Sequence, residues 1–440
     1  PKIENKTEFS KKISEILEID EQEVRERISP DRILWAILAR KINEEIYQKL
    51  KTLNLKGLGF EKESSRYYPE GSMSAHLLGF VGSDENGEDR GYFGIEGFYD
   101  RSLTGNPGSL LQEKDARGLP ILVGGIKRVL AEDGQSLELY LDRSVQLILE
   151  EKLKQGIEKY GAKSGLVAVL DPKTGGVLGS AAYPNFDPAT YAKYPKEYYQ
   201  NPLVAQVYEP GSTFKALVMA AALNERLVEP QMIFREEGPV KIGEYSIRTW
   251  NNEYHGELTM TQILEKSSNP GMVHISQKLG KNRLISYINK FGFGKMTGID
   301  LEGEESAPLR PEEEWKEIDV ATASFGQGIA VTPIQMLQAV GTLANDGILV
   351  EPHIVNKMSD QTGRSIEKKP KIIREVLRPA TARIVTEMMI SAVDHGEAKW
   401  AKPPGYRIAG KTGTAQIPLA GHYDTEKTIA NPDLAAAMKE

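Results

Sequence analysis

The chain of 440 residues is 40% hydrophobic and 27% charged, the balance of a soluble globular protein with room for two or three domains. Its net charge of −7 leaves no basic footprint for nucleic acid. It has no cysteine, which excludes disulfides, thiolate catalysis and cysteine-ligated metals without fixing the compartment.

Residues 1–55 are charged and helical in character, as in "EFSKKISEILEID" and "ILARKINEEIYQKL", where apolar residues recur every three to four positions. Residues 56–133 change texture: Gly and Pro are frequent, and pieces such as "RYYPEGSMSAHLLGFVG" and "YFGIEGFYDRSLTGNPG" read as strands and turns. Near Gly134 a strand-like "SLELYLD" leads into "RSVQLILEEKLKQGIEKYG". There Val145, Leu149, Leu153 and Ile157, with Ile148 alongside, predict one apolar helical face. "SGLVAVLDPKTGGVLGSAAYP" is a hairpin: two apolar runs around a Gly-rich turn. Helical stretches follow to about Asn345. A charged loop, a helix around "ATARIVTEMMISAV" and a strand-like "YRIAGKTGTAQI" close the pattern. Strands at both ends with helices between predict an α+β domain whose antiparallel sheet joins distant segments.

No apolar run reaches the ~18 residues of a membrane span. His76, His255, His274, His353, His395 and His422 are scattered without metal-ligand spacing, so no metal site is expected.

Three short motifs carry possible chemistry. In "YEPGSTFKAL" a helix-breaking Pro-Gly precedes Ser212, and Lys215 follows one turn later on the same face. A serine at a helix start meets free N–H groups and the positive dipole end, and a desolvated lysine can take its proton. The same pair also fits an N-capping serine followed by a surface lysine. In "EKSSNPGM", Ser267 and Asn269 offer a hydroxyl and a carboxamide for proton relay and amide binding, or simply a polar turn closed by Asn-Pro. "GYRIAGKTGTAQ" matches the phosphate-loop pattern G-x4-G-K-T from Gly405 to Thr412. A phosphate loop must follow a buried strand and open a helix, whereas "KWAKPP" precedes this one and the helix-poor "GTAQIP" follows. An edge strand bordering a cleft fits better: Lys411 and Gly413 point one way and Thr412 and Thr414 the other, so the strand offers a cation, hydroxyls and backbone N–H groups to an extended peptide, and Gly413 allows close approach. S-x-x-K, S-x-N and K-T-G, in that order on a helix start, a loop and a strand, form the serine acyl-transferase set.

With these motifs the chain resembles the class B penicillin-binding proteins, which are peptidoglycan D,D-transpeptidases. "RYYPEGSMSAHLLGFVG" and "GIEGFYDRSLTGNPGS" resemble the family's pedestal. "DPKTGGVLGSAAYPNFDP", "FGFGKMTGIDLEGE" and "SFGQGIAVTPIQMLQA" resemble its transpeptidase domain, and "RYYP" and "GIEGFYD" lean towards the division type over the elongation type. The resemblance implies an α+β fold in two modules. Residues 1–133 are a mixed α/β, dimerisation-like pedestal, incomplete at its start. Residues 134–440 are a transpeptidase domain with an antiparallel five-stranded sheet flanked by helices. The family also has an N-terminal membrane anchor before the pedestal, and two strands and a helix after K-T-G, so residues are expected to be missing around Ala430–Asn431.

The resemblance implies roles as well. Ser212 attacks the penultimate D-Ala of a stem peptide ending in D-Ala-D-Ala, with Lys215 as base. Ser267 passes a proton to the leaving amine, and Asn269 binds the substrate amide and positions Lys215. Lys411, Thr412, Gly413 and Thr414 hold the terminal carboxylate, and the N–H groups of Ser212 and Thr414 form the oxyanion hole. No cofactor is implied. The implied partners are stem peptides, β-lactams, a membrane glycan polymerase and other cell-wall synthesis proteins, at the extracytoplasmic face of a bacterial membrane. An elongation-type enzyme, a D,D-carboxypeptidase using water as acceptor, or a penicillin-binding sensor would share the motifs. A class A β-lactamase would need an E-x-x-L-N-like segment, which is not found, and has no pedestal.

Overall fold

In a computed structural model of the chain, residues 3–29, 35–85, 87–112 and 126–415 are described. The chain divides into two compact units, residues 1–69 and 70–440.

The first unit is helical. Helices Lys6–Leu17, Glu21–Ile28 and Glu44–Thr52 are opened by Asn5, Asp20 and Asn43, whose side chains accept the free N–H groups of each first turn. Phe9, Ile13, Val24 and Leu50 form its buried centre. The helix expected over "ILARKINEEIYQKL" begins only at Glu44, because Asn43 caps there and Trp35 to Ile42 are irregular.

In the second unit the hairpin is present. Gly165–Leu170 pairs antiparallel with Val177–Tyr183, and Asp171 closes the turn by accepting from Lys173 N and Thr174 Oγ1, both at 2.9 Å. Helix Arg143–Tyr160 packs on the second strand. Val145, Leu149, Leu153 and Ile157 are half-buried as expected, but Ile148 is 55% exposed and the fully buried residue is Gln146. The Gln146 amide bonds Ser180 twice, Nε2 to O and Oε1 from N, each at 2.9 Å, which removes the cost of burying it. "SLELYLD" supplies Ser136–Leu139, which pairs with Val355–Ser359, itself paired with Ser365–Glu367. "GIEGFYD" is helical over Gly94–Phe98 rather than a strand.

Among the described residues no single five-stranded sheet is present: the strands form two-stranded pairs, including Gly165–Leu170 with Val177–Tyr183, and the three-stranded sheet Ser365–Glu367, Val355–Ser359, Ser136–Leu139, and residues 405–415 lie in no strand ladder. A ladder needs a neighbour about 4.8 Å away, and none of the described residues provides one for this stretch. The discontinuity expected near Ala430–Asn431 lies outside the described residues.

The centre of the unit is helix Lys215–Asn224. "KALVMAAALN" is apolar all round, as a helix enclosed on every side requires, and Lys215 to Leu223 are all buried. Helices Asn269–Leu279, Lys281–Lys290 and Pro379–His395 surround it. A second buried joint ties two sequence stretches together. Asp300 accepts from Tyr99 Oη (2.9 Å), Ile354 N (2.6 Å), Val355 N (3.1 Å) and Lys368 Nζ (3.2 Å). Beside it Glu302 accepts from Phe93 N at 2.5 Å.

Candidate active site

Three backbone segments meet around Ser212. Gly211 N–H donates to Gly326 O at 3.0 Å, and Tyr208 and Val331 exchange N–H···O bonds of 2.9 Å. The close approach depends on glycine. A Cβ on Gly211, which has φ +55°, would lie 2.5 Å from Thr414 O, and one on Gly326, with φ +78°, would lie 2.1 Å from Gly211 O. A Cβ on Gly413 would likewise lie 2.7 Å from Thr213 Cγ2. The "SFGQG" and K-T-G stretches are thereby laid against the turn that carries Ser212.

Ser212 sits in the 3-10 turn Gly211–Phe214 that leads into the central helix, and it is half-buried. It caps nothing: the turn has no side-chain cap, and among the described residues the Ser212 hydroxyl has no hydrogen-bond partner. Lys215 is completely buried. Both facts exclude the capping serine and surface lysine.

The second motif forms the kink between helices Met260–Glu265 and Asn269–Leu279. Ser268 caps the second helix by accepting from Gly271 N at 2.8 Å, with Asn269-Pro270 in its first turn. Ser267 is held at φ +53°, left-handed and unusual for a residue with a Cβ. The result is convergence on one amino group. Lys215 Nζ donates to Ser267 O (2.5 Å), Ser267 Oγ (3.1 Å) and Asn269 Oδ1 (2.7 Å). Asn269 Nδ2 is fixed in turn by Arg248 O at 2.8 Å.

The third motif arrives from the opposite side. Lys411 Nζ donates to Ser267 Oγ at 3.0 Å and to Thr412 O at 3.1 Å, so one hydroxyl bridges two lysines. Thr412 Oγ1 donates to Glu397 at 3.3 Å, and the other oxygen of Glu397 accepts from Trp250 Nε1 at 2.6 Å. Burial, with the charge of Lys411 second, holds the Lys215 ammonium well below the usual lysine range. Burial also lowers Lys411, to about 8, against a smaller opposing pull from Glu397. Two amino groups of lowered basicity around a shared hydroxyl can move a proton and hold an anion. Among the described residues the N–H of Thr414 donates to no acceptor.

Ser212, Lys215, Ser267, Asn269, Lys411, Thr412, Gly413 and Thr414 are thus gathered in one place, with no direct hydrogen bond between Ser212 Oγ and Lys215 Nζ. A cavity of about 850 Å³ between strand Gly165–Leu170 and residues 409–411 touches Thr213 and Lys411 but not Ser212, Ser267 or Asn269, so it is not the groove in front of the serine. Sequence reading missed Ser268, Glu397 and Trp250. Ser268 was legible as a cap before Asn-Pro, whereas the other two carry no local signal.

The comparisons agree with this geometry. The family described as "Penicillin binding protein transpeptidase domain" matches residues 165–431, more than half of the chain. The chain belongs to the penicillin-binding protein transpeptidase family. Residues 1–139 match the penicillin-binding protein dimerisation domain. Among curated relatives, Stage V sporulation protein D of Bacillus subtilis is 36% identical over 96% of this chain and 66% of its own length. Peptidoglycan D,D-transpeptidase FtsI of Escherichia coli is 33% identical over 86% of this chain and 61% of its own. The crystal structure of penicillin-binding protein 3 from Mycobacterium tuberculosis in complex with aztreonam superposes with a TM-score of 0.71 at 31% identity, covering 81% of this chain and 77% of that one. The chain thus spans about two thirds of the length of these two curated relatives.

Proposed function

We propose that the protein is a serine D,D-transpeptidase that cross-links peptidoglycan stem peptides through an acyl-enzyme and is trapped by β-lactams. The observation that carries this reading is the meeting of Lys215, Ser267, Asn269 and Lys411, with Ser267 and Lys411 144 residues apart in the chain. Ser212 attacks the carbonyl of the penultimate D-Ala and expels the terminal D-Ala. Lys215, its basicity lowered by burial, takes the serine proton once it is in the neutral form, after giving up one of its present contacts, a tightening common on substrate binding. Ser267 Oγ, bonded to both lysines, relays that proton to the leaving amine. Lys411 and the Thr412 and Thr414 hydroxyls hold the terminal carboxylate. The N–H groups of Ser212 and Thr414 stabilise the oxyanion, each donor worth roughly 3–4 kcal/mol. An amine of a neighbouring stem peptide then takes the acyl group and frees Ser212.

The division-type stretches "RYYP" and "GIEGFYD" favour septal wall synthesis, beside a membrane glycan polymerase on the extracytoplasmic face. The likeness to a relative named for sporulation favours a sporulation wall as a second setting. Among the described residues, no helix is long and apolar enough to cross a membrane. Residues 1–133 serve as the pedestal.

Intact mass after incubation with penicillin tests the chemistry. One stable adduct is expected on the wild type and none on Ser212→Ala. Hydrolysis of the drug without a lasting adduct would assign a β-lactamase instead.

A further inference from the structure

We infer that Glu236 is a positioning residue for the acylation proposed above, acting on Lys215 through the Ser267–Asn269 kink. The inference rests on that reading of the site and adds a residue outside its three motifs.

Glu236 ends strand Ile233–Glu236, opposite Gly256, and is 1% exposed. Both carboxylate oxygens are committed. One accepts from Ser268 Oγ, and the other accepts His255 N–H at 3.0 Å. Neither oxygen is free for substrate. The Ser268 hydroxyl is therefore fixed twice: it donates to Glu236 and accepts Gly271 N–H at 2.8 Å. Its neighbours on either side carry the chemistry. Ser267, left-handed at φ +53°, turns its carbonyl to Lys215 Nζ at 2.5 Å, and Asn269 brings Oδ1 to the same atom at 2.7 Å. A non-glycine residue persists in that region only where its surroundings hold it, and the clamp on Ser268 is adjacent in the chain.

Charge supports the same assignment. The ionisable groups facing Lys215 from the surrounding elements are Lys411, Glu397 and Glu236. Glu397 favours the charged form of Lys215 the more strongly, and Glu236, fully buried beside the kink, does so after it. Glu236 thus opposes the mutual repulsion of the two lysines and favours the Lys215 ammonium.

The test is the second-order rate of penicillin acylation as a function of pH, on wild type, Glu236→Gln and Ser268→Ala, with circular dichroism and Tm as folding controls. Glu236→Gln is expected to fold, to acylate about 10- to 100-fold more slowly as the kink loosens, and to move the acid limb of the profile to lower pH because Lys215 loses an anion. Ser268→Ala breaks the link but leaves the charge, so the rate falls while the limb stays. A wild-type rate and profile in Glu236→Gln would overturn the inference. So would a rate loss matched by loss of folded protein with an unmoved profile. Absence of an adduct on the wild type would instead overturn the acyl-enzyme reading, and the inference with it.

Discussion

Asp300 and Lys215 are equally hidden, at 1% and 0% exposure, yet their surroundings are opposites. Asp300 receives two backbone N–H groups, a phenol and the Lys368 ammonium. Anion and cation lie together and every oxygen is bonded. Burial, with Asp300 second, pushes the Tyr99 phenol well above its usual range, so it stays a donor. Lys215 has only neutral acceptors, a carbonyl, a hydroxyl and a carboxamide, with a second lysine beyond the hydroxyl. A cluster that only holds two segments together balances its charge. In the Lys215 cluster burial lowers the basicity of both lysines, and among the described residues no carboxylate is bonded to either to offset it. The contrast explains why two buried polar networks in one unit differ in purpose.

Removing Lys215 tests the reactive side of this contrast most severely. Lys215→Ala is expected to slow penicillin acylation about 1,000-fold, the scale of a lost general base, and Lys215→Arg should not restore it because arginine stays charged. A rate within a few-fold of wild type would sink the base assignment. On the structural side, Asp300→Ala leaves buried donors and the Lys368 charge unpaired. It should cost about 3 kcal/mol and lower Tm by several degrees. An unchanged melting curve would show that the joint is not structural.

The pH profile sharpens the comparison. The rate should rise as Lys215 becomes neutral. It should fall again as pH passes about 8, where Lys411 loses the proton that holds a carboxylate. Lys411→Arg should move that alkaline limb beyond about pH 10, and a limb that stays put would assign it to another group. The smallest effect is on stability. A lysine whose folded pKa is lowered costs stability below that pKa and returns it as pH rises towards the unfolded value. Lys411→Met is therefore expected to raise Tm by about 1–2 °C at pH 7, with the gain fading by about pH 10. A fall in Tm would mean that the Ser267 and Thr412 contacts outweigh the desolvation.

Much of the site was legible because its local parts obey short-range rules. Pro210-Gly211 before an apolar run marks a helix start, and the three-residue offset puts Lys215 one turn beyond Ser212. Ser268 before Asn-Pro marks the next start. The apolar hairpin and the capped helices were legible for the same reason. The misreadings came where tertiary contacts overruled local texture. "GIEGFYD" looked like strand and turn, but Gly94 packs against the Leu77 carbonyl, 2.5 Å from where a Cβ would stand, and the segment coils into a helix. Ile148 fitted an apolar face, yet Gln146 took the buried place because strand carbonyl and amide groups met its carboxamide. Ile233–Glu236 is a strand inside a run that reads as mostly helical, and nothing local marks Glu236 as buried.

By itself the sequence determined which groups could react, their order along the chain, and the helix start that carries the first motif. Backbone geometry over three or four residues is enough for that. The second motif reads as a loop, and the structure makes it a kink between two helices. Only the tertiary structure decided that Lys411 reaches the hydroxyl of Ser267, that Lys215 is dry, and that Glu236 lies beneath the kink. Those are matters of burial and of approach between residues far apart in the chain, and the basicity of both lysines is set by burial and by such neighbours.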